Sequence, residues 1–94
     1  MPRLDAFLRN TGLIKQRSQA KAACDQGRVR LDGRVAKPGL DVQPGVHLEL
    51  ELADRYLEVE VRAVPSRPVA RQARPDYYQV LREESRDPYS DVEF

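Results

Sequence analysis

A single change of hydrophobic period, at Gly27, constrains this chain more than any other feature. Before it, apolar residues recur at helical spacing. Leu4, Phe7 and Leu8 share one face of a segment over 3–10, and Ala20, Ala23 and Cys24 share a narrow face of a second segment ending at Gln26. Thr11-Gly12 separates the two, Ser18 is an N-cap or a first-turn residue of the second, which starts near 16–18, and Gly27 stands where a left-handed cap residue closes a helix. After Gly27 the pattern alternates, first in Arg28-Val29-Arg30-Leu31. It resumes with Val46, Leu48, Leu50 and Leu52 on one face, and then with Leu57, Val59 and Val61. Asp32-Gly33 is a two-residue hairpin signal, and Lys37-Pro38-Gly39 and Gln43-Pro44-Gly45 are further turns. The expectation is an α+β fold: two packed helices followed by a small antiparallel sheet, over residues 1–64. Pro65-Ser66-Arg67-Pro68 reads as an extended linker. With Pro75 at a first helical position and Tyr77, Tyr78 and Leu81 as a packing face, 65–84 predicts a linker and a C-terminal helix. Residues 85–94 read as a flexible tail.

The chain has 94 residues, enough for one domain and one small core. Its apolar runs are too short to span a membrane, and its N-terminus lacks the apolar segment of a signal peptide. A cytoplasmic monomer without a membrane partner is therefore expected. One Cys and one His exclude an internal disulfide and a Cys/His zinc site. His47 and Cys24 lie far apart in sequence, and Cys24 falls on an apolar helix face, so it reads as a buried inert thiol rather than a nucleophile. Glu49/Glu51 and Glu58/Glu60 share the strand face opposite the apolar one and read as a solvated surface. No phosphate-cradling glycine loop occurs. The residues support no reaction, and no cofactor is expected.

The net charge of +1 conceals a division. Residues 1–48 carry nine Lys/Arg and four Asp, a net +5, while 49–94 carry seven Arg and eleven Asp/Glu, a net −4. A basic half of this kind suits a polyanion partner. Arg17 and Lys21 are i, i+4 neighbours on the second helix, with Lys15 just before it. Arg28 and Arg30 follow on one face of the next strand, then Arg34 and Lys37. The alternative is a face that merely solvates the fold. Like charges at i, i+4 are mildly destabilising, which favours a ligand outside the chain. All four Tyr lie at or beyond Tyr56, so no aromatic platform accompanies these cations, and structured RNA suits them better than stacked single strands.

In order and spacing, several segments resemble the RNA-binding domain first described in ribosomal protein S-four, the alpha-L motif. They are Arg3-Leu4-Asp5-Ala6-Phe7-Leu8, Leu13-Ile14-Lys15-Gln16-Arg17-Ser18-Gln19-Ala20, Asp25-Gln26-Gly27-Arg28-Val29, the Asp32-Gly33 turn and Lys37-Pro38. The likeness covers about residues 3–50. Leu13–Arg17 and the run from Ala20 to Arg28 are closest to the RqcP family of bacterial ribosome-associated quality control factors. That resemblance implies a non-enzymatic factor on obstructed large ribosomal subunits. It would contact large-subunit rRNA and peptidyl-tRNA in the P site and support an RqcH-type elongation factor that adds alanine to stalled chains. It also implies Arg3 and Arg17 as leading RNA contacts, with Lys15, Lys21, Arg28 and Lys37 next. Arg3 has the alternative of pairing with Asp5, which reads as a structural residue at the helix start. Gln16 departs from the family, where a basic residue is common. The motif also fits a ribosome-associated heat-shock protein, although those carry a longer basic tail, or an accessory domain serving an RNA-modifying enzyme in trans.

Overall fold

The computed structural model describes residues 2–85. Two helices come first, α1 (Leu4–Asn10) and α2 (Arg17–Asp25). Five strands follow: β1 (Val29–Leu31), β2 (Arg34–Val35), β3 (His47–Glu51), β4 (Arg55–Val61) and β5 (Tyr78–Ser85), with a 3-10 helix (Arg71–Asp76) between the last two. The strands form one antiparallel sheet in the order β2-β1-β3-β4-β5.

The helical spacing and the alternation meet in one core. Leu4, Phe7 and Leu8 of α1 and Ala20 and Cys24 of α2 are buried together with Val29, Leu48, Leu50, Leu57, Val59 and Val61 of the sheet. The register explains the fit: Leu48 opposes Val59, and Leu50 opposes both Val29 and Leu57, so one continuous apolar face meets the helices. The small Ala20 and Cys24 let α2 approach closely. Burial pushes the Cys24 thiol up to about 11, helped by the negative charges of Asp5 and Asp25, so it stays protonated at neutral pH.

Turn chemistry holds the elements in place. Asp32 and Gly33 both have positive φ, 50° and 85°, as a two-residue hairpin with right-handed twist requires. Asp32 also accepts the His47 N–H at 2.9 Å, tying the hairpin tip to β3. The loop after β2 folds back onto α1. Leu4 and Asp5 N–H donate to the Leu40 and Pro38 carbonyls at 2.8 and 3.0 Å, and Asp5 Oδ1 takes the Ala6 N–H at 2.8 Å. The first amides of α1 are thereby satisfied from within the fold.

The expected C-terminal helix does not form. Pro75 lies inside the short 3-10 helix, and Tyr78–Ser85 add a fifth strand along β4. The physical reason is a bulge. Arg82 opposes Glu58 while Val80 opposes Val59, so Leu81 is the extra residue. That insertion breaks the alternation and sets two apolar residues side by side, which imitates a helical face. The open edge of β4 offers a row of backbone partners, and pairing along it outweighs weak local helicity. The tail expected beyond Ser85 lies outside the described residues.

Candidate nucleic-acid interface

Asp5 organises the basic surface. Its side chain is 4% exposed, at the start of α1, and it holds two arginines from separate elements. Arg3 Nε and Nη2 donate to Oδ1 and Oδ2, both at 3.2 Å, and Arg17 Nε lies 3.5 Å from Oδ2. Burial alone would raise the Asp5 carboxyl. The Arg3 and Ala6 hydrogen bonds and the charges of Arg17 and Arg3 outweigh it and hold the group below its usual value. Two guanidiniums therefore share one carboxylate, and about half of each arginine side chain, 50% and 56%, remains exposed. Both line a groove of about 470 Å³ with Ala6 and Asn10 of α1 and Val64-Pro65 of the segment after β4. Such a site presents positive charge with pre-oriented donors, the arrangement that suits phosphate oxygens.

The other residues expected from sequence are spread more widely. Lys21 is exposed one turn along α2 from Arg17. Lys37 is exposed beside Pro38, whose carbonyl receives the Asp5 N–H, so it belongs to the loop that frames the Arg3 site. Lys15 lines a different groove with Arg9 and Arg74. Arg28 lies beyond the opposite end of α2, in a groove with Ile14, Ala22, Ala23 and Leu52.

Of the basic strand face expected from Arg28 and Arg30, Arg30 is not free for a partner. Arg30 is tied to Glu49 at 2.9 Å and Glu51 at 3.2 Å across the β1–β3 pair, so its charge is consumed within the sheet. Around it Glu58 and Glu60 share the outer face, and Tyr56 donates to Glu58 at 2.8 Å. Burial, that bond and the charge of Glu49 push the Tyr56 phenol up to about 12. His47 is exposed and lies 3.2 Å from Glu60. Among the described residues no group of three or more His, Cys, Asp or Glu could hold a metal ion, and no helix is long and apolar enough to cross a membrane.

Residues 2–48 match the S4 domain, half of the chain and the half that holds both helices, the β1–β2 hairpin and the loop under Arg3. The RQC P-site tRNA stabilizing factor of Halalkalibacterium halodurans is 38% identical over 82 residues, 87% of this chain and 92% of that protein. The factor of the same name from Bacillus subtilis is 37% identical over 82 residues, covering 87% and 94%. The chain belongs to the RQC P-site tRNA stabilizing factor family. Likeness to the stabilizing factors extends past the S4 domain into the later strands, since 82 aligned residues exceed the S4 match. The stabilizing factor from Listeria innocua aligns over 85 residues at 32% identity, covering 90% of this chain and 91% of that protein. The fold of this family member is also that of Vibrio cholerae heat shock protein 15, solved as a trimer. The TM-score is 0.77 and the identity 24%, over 83% of this chain and 79% of the other.

The sequence reading missed how Asp5 acts: it joins Arg3 to Arg17 as well as opening a helix. It also missed Arg9 and Arg74 beside Lys15. No local spacing signals Arg74 there, since its position at the end of α1 is a tertiary fact.

Proposed function

We propose that this chain is a non-enzymatic RNA-binding factor of ribosome-associated quality control in the bacterial cytoplasm. It engages large-subunit rRNA and P-site peptidyl-tRNA on obstructed large subunits. In doing so it supports an RqcH-type elongation factor in extending the stalled chain with alanine. The observation that carries the reading is the Arg3–Asp5–Arg17 cluster, whose two half-exposed guanidiniums share one buried carboxylate within the S4 domain. The names of the relatives supply the ribosomal context. Arg3 and Arg17 contact phosphates, and Lys21 and Lys37 extend the same surface. Lys15 and Arg28 lie in other grooves and meet RNA outside that surface.

Sucrose-gradient sedimentation of cell lysate, with blotting for this protein, tests the reading. Enrichment on free large subunits carrying peptidyl-tRNA is expected, and Arg17→Ala reduces it by about tenfold, the equivalent of 1.4 kcal/mol. Absence from every ribosomal fraction would overturn the ribosomal role. Co-purification with a catalytic subunit instead would make the chain an accessory domain of an RNA-modifying enzyme.

A further inference from the structure

The cations of the second half of the chain do not all belong to its acidic surface. Arg62, Arg71 and Arg74 line an open cleft of about 510 Å³ between the 3-10 helix and β5, with Pro75 and Tyr78 forming part of its wall. Arg74 also lines the groove that contains Arg9 and Lys15, so cleft and groove adjoin at that residue. Backbone and side chain both fix the arrangement. Val69 N–H donates to the Asn10 carbonyl at 3.0 Å, laying the segment after β4 across the end of α1. The Arg74 guanidinium rests on Gly12, where φ is +76° and an added Cβ would overlap it.

None of these cations is neutralised by a carboxylate among the described residues. Among the described residues, Arg9, Lys15, Arg71 and Arg74 make no ion pair with a carboxylate, and Arg62 donates to the uncharged Gln79. The Arg74 Nε is buried and has no hydrogen-bond partner among the described residues. Arg30, Arg55 and Arg82, on the strands, are each paired with glutamate. Five cations from four segments along two adjoining concavities repel one another unless an extended polyanion lies over them. Guanidiniums in such a row suit the successive phosphates of a nucleic-acid backbone better than a single small anion.

We propose that Arg62, Arg71 and Arg74, with Arg9 and Lys15, form a second RNA-backbone contact surface, separate from the Arg3–Asp5–Arg17 site. The inference rests on the RNA-binding function proposed above. It gives the segment after β4 a role in recognition beyond its structural one.

The test is titration of a fluorescein-labelled RNA hairpin with a long paired stem, over a series of KCl concentrations, against the full chain. Arg62→Ala/Arg71→Ala removes two exposed cations and leaves the Arg74–Gly12 packing in place. It is expected to flatten the dependence of log Kd on log salt by about 1.8, from roughly 0.9 for each phosphate no longer neutralised. Arg82→Ala, within the acidic face, is expected to leave the slope unchanged. Adding Arg17→Ala to the double variant is expected to multiply the two reductions in affinity, as separate sites require. A double variant with wild-type slope and affinity, alongside a weakened Arg17→Ala, would overturn the second surface and leave the first standing. Reductions that fail to multiply would make the two one site and overturn their separation. A wild-type chain that binds no RNA would overturn the function itself.

Discussion

Arg17 and Arg30 are the same residue in opposite electrostatic circumstances. On the helical side, Arg17 and Arg3 share the single carboxylate of Asp5, so two positive charges meet one negative. On the outer face of the sheet, the single guanidinium of Arg30 lies between Glu49 and Glu51, so one positive charge meets two negative. Arg17 is 56% exposed and Arg30 28%. The ratio of charges within each cluster, more than the residue type, decides which surface has attraction left for a partner. Internal pairing satisfies the sheet face, whereas the helical face keeps spare donors in a fixed orientation.

The comparison presupposes that the helices stay docked on the sheet, and Cys24 reports that docking. With its thiol raised from 9.0 to about 11 by burial, alkylation of the folded chain is expected to be about a hundredfold slower than in denaturant. Fast labelling under native conditions would mean that α2 opens freely and that the Arg17 site is not pre-formed.

Asp5→Asn attacks the helical cluster directly. It leaves Arg3 and Arg17 without their shared anion and is expected to cost about 1–3 kcal/mol of stability, read from urea denaturation. The Asp5 carboxyl sits below its ordinary value of 3.8 in the folded chain. Its stabilisation is therefore complete above that value and is lost as pH falls through the lower folded one. The stability gap between wild type and Asp5→Asn should accordingly close in acid. A gap independent of pH would show that the carboxylate charge is not what holds the two arginines.

Arg30→Ala probes the other side. It leaves Glu49 and Glu51 without their shared cation, yet the pair is partly solvated, and a loss of no more than about 1 kcal/mol is expected. RNA affinity and its salt dependence should not fall. A marked fall would show that the acidic face also meets the nucleic acid and would erase the contrast between the two surfaces.

Much of this architecture is legible in the residues. Leu4, Phe7 and Leu8 announce α1, and Asp32-Gly33 announces the first hairpin. The alternation through Leu48, Leu50, Leu57 and Val59 announces the central strands with the correct inward face. Arg17 stands out through its spacing with Lys21, and Arg3 only through the resemblance to the S4 motif. β5 does not stand out, because the bulge at Leu81 disrupts its period and Pro75 invites a helical reading. Its strand state depends on the open edge of β4, which local sequence does not describe. Arg30 is equally opaque, since its partners Glu49 and Glu51 lie 19 and 21 residues away.

The sequence by itself determined the order of helices and strands as far as β4, most residues of the core and the excess of positive charge in the first half, because period and composition are local properties of the chain. Only the tertiary structure decided which charges are spent and which remain. It placed Asp5 between two arginines and Arg30 between two glutamates. It also carried Arg74, from the acidic half, to the end of α1 beside Arg9 and Lys15. Electrostatic interaction depends on distance in space and on burial, and folding sets both independently of position along the chain.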